Sequence, residues 1–158
     1  MSNILFVHKA QGGCMKEKES LEYFRNGFNC AQAVFAPFAK ENGISESHAL
    51  RIACGFGGGM GRLQATCGAV TGAYMAIGVK HGKSLGDKGD EKKEETYDLV
   101  KTFDTEFRKI FSTTLCRELL QCDLNTDEGK KFASEHKLTQ KVCERCVQEA
   151  VKIVEKIS

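Results

Sequence analysis

Proline is almost missing from this 158-residue chain: Pro37 is the only one. The apolar–polar alternation over β-branched residues that marks half-buried strands is also scarce, whereas apolar residues recur at helical spacing along most of the chain. The fold class expected is all-α. An excess of one charge is missing too. The 23 basic and 21 acidic residues leave a net charge of +2, which offers no broad field for a nucleic-acid backbone or an anionic membrane surface. Long hydrophobic runs are absent. The most apolar stretch, Ala65 to Val79, is shorter than the ~20 residues a membrane helix needs, so no membrane insertion is expected. The opening "MSNILFVHKA" holds a four-residue apolar run before His8, short of a signal-peptide core of roughly 7–15 residues. The expected location is cytoplasmic.

A chain of this length supports one domain with a hydrophobic core. Residues 1–14 fit no helix pattern and read as a loose extension, leaving 15–158 as a single helical domain. "MKEKESLEYF" from Met15 opens the first helix. The second spans about Cys30 to Asn42, contains Pro37 and stops at Gly43. Ser45 caps a third, and the fourth runs from Cys67 to about Lys80. A charged, glycine-interrupted loop then leads to a long helix from about Asp90 to Phe111. A short turn at Cys116 to Leu120, a helix capped by Thr126 and a last helix from Gln140 to Ile157 complete the chain. The expected architecture is a bundle of five to six main helices, with a glycine-rich loop before a central helix that starts at Cys67.

Cysteine and glycine are plentiful. Eight cysteines stand at positions 14, 30, 54, 67, 116, 122, 143 and 146. In a chain of this size with no secretory signal they read as core residues, metal ligands or redox thiols rather than as a disulfide framework. Asn29 is a strong N-cap and Gln32 completes a capping box, which places Cys30 in a first helical turn. Thr66 stands in the same relation to Cys67. A helix start favours thiolate over thiol, so Cys30 and Cys67 are the candidate catalytic thiols. Burial as small core residues is the competing expectation for both.

The run "GFGGGMGRLQATCGAVTG" supplies Gly57, Gly58, Gly59 and Gly61, which let the backbone approach a bound group closely and are the candidate cofactor-binding residues. Close helix packing would use the same glycines. A phosphate loop is excluded because Arg62 and Leu63 follow Gly61 in place of Lys and Ser or Thr. A dinucleotide fingerprint fails because Met60 takes the third glycine position and no strand precedes it. Cys143 and Cys146 form a C-x-x-C on the apolar stripe of the last helix, a spacing shared by redox dithiols, zinc sites and iron–sulfur sites. Burial alone also explains that pair. The four histidines form no ligand pair.

Together, "FNCAQAVFAPFAKENGISESHALRIACGFGGGMGRLQATCGAVTGAYMAIG", "CRELLQCDLNT" and "VCERCVQEA" resemble the C_GCAxxG_C_C family of redox-active proteins, from about Met15 onward. The resemblance implies four defining cysteines, which fall on Cys30, Cys67, Cys116 and Cys143. It also implies redox or metal chemistry, with these four as metal ligands, an electron-transfer partner protein and a functional link to a transporter. The chain departs from the family pattern in its additional thiols at 54, 122 and 146, in Pro37, and in reading Cys-Gly-Ala where the label spells Gly-Cys-Ala. Three function classes follow: a thiolate–metal electron carrier of iron–sulfur type, a metal-free dithiol oxidoreductase or thiol sensor, and a structural zinc domain.

Overall fold

A computed structural model describes residues 7–158, with side chains from Met15 onward. Nine α-helical segments and one π-helical turn follow one another: α1 Val7–Arg25, α2 Cys30–Glu41, α3 Glu46–Cys54, α4 Gly57–Met60, α5 Gly68–His81, α6 Glu91–Phe111, α7 Cys116–Leu120, α8 Asp127–Glu135, the π-turn Thr139–Cys143, and α9 Glu144–Ile157. Among the described residues the only β pairing is an isolated antiparallel bridge between Thr66 and Leu115. The fold is all-α.

Two boundaries and the helix count differ from the expected ones. The first six residues of the expected loose extension lie outside the described residues, but from Val7 the chain is helical, so α1 starts well before Met15. Gly12 and Gly13 look like helix breakers, yet each costs only about 1 kcal/mol relative to alanine. An established downstream helix can propagate through such a penalty. Cys67 is itself the N-cap of α5, rather than its first helical residue capped by Thr66. Seven helices have nine or more residues, exceeding the expected five to six because α3 and α8 are each nine residues long.

Helix α5 lies at the centre, against α2, α6 and α9. Its small residues make this possible. Gly68, Ala69, Val70, Gly72, Ala73, Ala76 and Ile77 are all buried, and a Cβ placed on Gly72 would stand 2.8 Å from the Ala31 carbonyl oxygen and 3.0 Å from Val34 Cβ. Helix α2 therefore rides directly on the α5 backbone. Phe103 and Phe107 of α6 and the apolar stripe Cys146, Val147, Ala150, Val151 and Val154 of α9 close the core. Helix α1 packs on α2 and α9, and α3 packs on α2.

Two substitutions in α5 test this close approach. Overpacking of a filled core costs about 1–3 kcal/mol, so Gly72→Val is expected to lower the melting temperature by several degrees. Gly78, in the same helix, has nothing within 4 Å of its added Cβ; Gly78→Ala is expected to raise stability by up to about 1 kcal/mol. Equal responses in thermal unfolding would show that α2 does not rest on Gly72.

Candidate functional site

Five parts of the chain meet in one cavity of about 70 Å³, lined by Cys30, Gly58, Gly59, Cys67, Gly68, Cys116, Leu119, Leu120, Leu124, Val142, Cys143 and Cys146. Its reactive groups are all thiols, and its other side chains are aliphatic. The four cysteines singled out in the sequence line it together, and Cys146 joins them. Cys122 lies just outside this lining. Cys54 is exposed and borders a separate groove with Phe28, Leu50 and Arg51. Of the candidate glycines, Gly58 and Gly59 form part of the wall. Gly57 and Gly61 do not: a Cβ on Gly57 would meet the Asn29 side chain, and Gly61 closes the turn with its N–H on the Gly57 carbonyl.

Backbone bonding holds the sulfurs in register. The Cys67 N–H donates to the Thr114 carbonyl at 2.8 Å and the Cys116 N–H donates to the Ala65 carbonyl at 2.7 Å, so the bridge at Thr66 and Leu115 sets two cysteine-bearing strands of chain side by side. Gly59 makes room beside them. Its φ is +70°, and an added Cβ would lie 2.6 Å from Cys116 Cβ and 2.8 Å from Gln64 Cα. Gln64 is only 3 % exposed and has a left-handed φ of 54°. Its Nε2 donates to the Cys122 carbonyl, and its Oε1 accepts the Leu124 N–H. One buried amide thus fixes the segment that carries Leu124 into the cavity wall.

The two helix-start thiols behave differently. Cys67, 6 % exposed, has its pKa lowered chiefly by the adjacent Cys146 thiol, with help from the backbone N–H groups of Ala69 and Val70 that outweighs part of the cost of burial. Cys146, 1 % exposed, is pushed up by Cys67 and by burial. Of the two, Cys67 therefore gives up its proton first. Cys30 departs from expectation: its pKa is raised, first by the neighbouring Cys143 thiol and then by burial. The start of α2 offers no opposing pull. There the Asn29 side chain accepts the Gln32 N–H and the Gln32 side chain accepts the Asn29 N–H, so the capping groups bond to each other. At α5 no such cap intervenes between Cys67 and the first-turn N–H groups. Burial pushes Cys116 up to about 12.

These directions carry a pH dependence. Cys30, Cys116 and Cys146 stay protonated in the folded chain at pH values where an unfolded thiol, with a pKa near 8.5, ionises. The unfolded state then binds fewer protons, so their contribution to stability is lost as pH rises through and above that range. Burial also raises the Cys122 thiol, and only Cys67, with its lowered pKa, works in the opposite sense. Under reducing conditions the melting temperature is expected to fall steadily between about pH 8.5 and pH 11. A flat profile would contradict the burial of these thiols.

The fold and this cavity define an all-α protein with a buried cluster of unlike thiols. Residues 28–157 match the family described as "Putative redox-active protein (C_GCAxxG_C_C)". The chain belongs to that family of redox-active proteins. Among curated proteins and among solved structures, nothing matches the chain. Cys146 is the lining thiol outside the four that the family pattern implies, since a cysteine on the apolar stripe of a helix carries the same signal whether it is packing or reacting. Its C-x-x-C spacing to Cys143 was the available clue.

Proposed function

We propose that the protein is a thiol oxidoreductase that works through the buried cluster, with Cys67 and Cys146 as its principal couple. The observation that carries this is the meeting of five thiols on one small cavity, in which Cys67 adjoins Cys146 and Cys30 adjoins Cys143. A thiolate next to a protonated thiol is the arrangement that thiol–disulfide exchange requires. The Cys67 thiolate attacks one sulfur of a partner disulfide, forming a mixed disulfide and releasing one thiolate. The Cys146 thiol then loses its proton and attacks the Cys67 sulfur, which releases the second thiolate. The chain ends with a Cys67–Cys146 disulfide, the Cys146 proton is released, and the partner, having taken two electrons, ends as two thiolates.

The five sulfurs on this lining favour a second reading, in which Cys30, Cys67, Cys116 and Cys143, with Cys146 beside them, are thiolate ligands of an iron–sulfur type group that serves an electron-transfer partner protein. The donors fit such a group, since soft thiolates select it, and Gly58 and Gly59 bring backbone into the same wall. When bound, the group would supply one-electron transfer. A zinc ion fits less well. It gathers its ligands around one point, and among the described residues no three His, Cys, Asp or Glu side chains form a group that could hold an ion.

Anaerobic purification followed by elemental analysis and absorption spectroscopy separates the readings. A colourless, metal-free protein with a reversible two-electron thiol couple is the result expected. A brown protein containing iron and sulfide would overturn the dithiol reading in favour of the cluster. Stoichiometric zinc in a colourless protein would overturn both.

A further inference from the structure

Leu124 lines a second, larger cavity outside the thiol cluster. That outer cavity, a groove of about 520 Å³ open to solvent, is lined otherwise by Ala133 and the exposed residues Lys130, Ser134, Lys137, Thr139 and Gln140. The π-turn Thr139–Cys143 joins the two: its first residues, Thr139 and Gln140, face the outer cavity, and its last, Val142 and Cys143, face the inner one. π-Helical segments are rare and are frequent at functional sites.

The linings of the two cavities are complementary in kind. The inner one has thiols and aliphatic walls. The outer one has two ammonium groups, two hydroxyls and an amide, and no carboxylate. Among the described residues Lys137 has no ion-pair partner, and Lys130 has only Asp127 at 3.9 Å, with the lysine side chain 61 % exposed. Lys137 is held in a left-handed conformation, φ 53°, at the junction of α8 and the π-turn. A molecule that satisfied both cavities would carry negative charge at one end and a compact sulfur group at the other.

We propose that the outer cavity is the substrate-binding site for a small anionic disulfide, one bearing carboxylate groups, whose charged end rests on Lys130 and Lys137 while its sulfur passes Leu124 into the thiol cavity. This rests on the dithiol reading above and adds the class of substrate to it. The exchange is then the one already written: the substrate's S–S bond breaks, the Cys67–Cys146 bond forms, two electrons pass to the substrate and the Cys146 proton is released.

Alkylation tests the site without requiring redox turnover. The reduced protein is treated with iodoacetate or with iodoacetamide, and the rates at the cavity cysteines are read by peptide mass mapping, relative to the same two reagents acting on free cysteine. In the native protein the anionic reagent is expected to be favoured, and in Lys130→Gln/Lys137→Gln its advantage is expected to fall several-fold while the neutral reagent keeps its rate. Lys88→Gln/Lys101→Gln makes the same change in net charge elsewhere and is expected to leave the ratio alone. An unchanged ratio in the pocket variant, or an equal fall in both variants, would overturn the proposal. A pocket-specific fall in a protein that forms no Cys67–Cys146 disulfide would instead leave the anion site standing and refute the dithiol reading.

Discussion

Replacing Cys67 with serine is expected to abolish the reversible thiol couple while leaving the helical content intact. The two halves of that expectation have different causes. Serine is among the preferred N-cap residues, because its hydroxyl accepts the first-turn N–H groups of the helix it precedes. Position 67 is the N-cap of α5, and no side chain makes that cap in the native chain. The substitution therefore suits the helix start, and far-UV circular dichroism and the melting temperature should change little. Chemically, the hydroxyl is no substitute: at neutral pH it supplies neither a thiolate nor a redox-active sulfur. Cys146 then loses both its partner and the main cause of its raised pKa, which is the adjacent Cys67. A Cys67→Ser protein that still consumed and returned two electrons per chain would remove Cys67 from the centre.

Gly59→Ala is expected to damage fold and site together. A left-handed conformation costs an alanine roughly 1–2 kcal/mol, and overpacking adds about 1–3 kcal/mol. The added methyl group would press on Cys116 Cβ at 2.6 Å, the Gln64 Cα at 2.8 Å and the Ala65 nitrogen at 3.0 Å, all parts of the bonded frame around the cavity. Backbone cannot swing aside as a flexible side chain can. A fall in melting temperature on the order of 10 °C follows, with a changed alkylation rate at Cys116. Gly58→Ala makes a useful contrast. It has a similar φ of +66°, but its nearest neighbour is the Arg62 side chain, at 2.9 Å. The milder loss expected there isolates backbone strain from the clash with the cavity frame. If Gly59→Ala were no worse than Gly58→Ala, the tight fit of Gly59 against the Cys116 segment would be wrong.

The parts of this structure that were legible in the sequence are those with local causes. The Asn29–Gln32 capping box and the Ser45 and Thr126 caps are each written in a few neighbouring positions, and each appears as expected. The all-α class follows from periodicity in the same way. Placement of Cys30, Cys67, Cys116 and Cys143 on one cavity required the family pattern as well, since no local signal links residues so far apart.

What was not legible depends on how elements meet. Cys30 and Cys67 both sit at helix starts, but the Cys143 thiol beside one, and the Cys146 thiol with first-turn N–H groups beside the other, turn their pKa values in opposite directions. The role of Gln64, whose amide bonds across about sixty residues of chain, has no sequence signature at all. The π-turn before α9 was read as ordinary helix because its residues have no distinctive pattern. That turn presents Cys143 to the inner cavity and Thr139 to the outer one.

Disulfide mapping after mild oxidation tests the central claim most directly. The reduced protein is titrated with a small disulfide, remaining thiols are blocked, and the linked peptides are identified by mass spectrometry without reduction. A Cys67–Cys146 link that forms first and is reversed by dithiothreitol is the expected result. Oxidation that leaves both Cys67 and Cys146 free, with the first disulfide elsewhere in the chain, would contradict it.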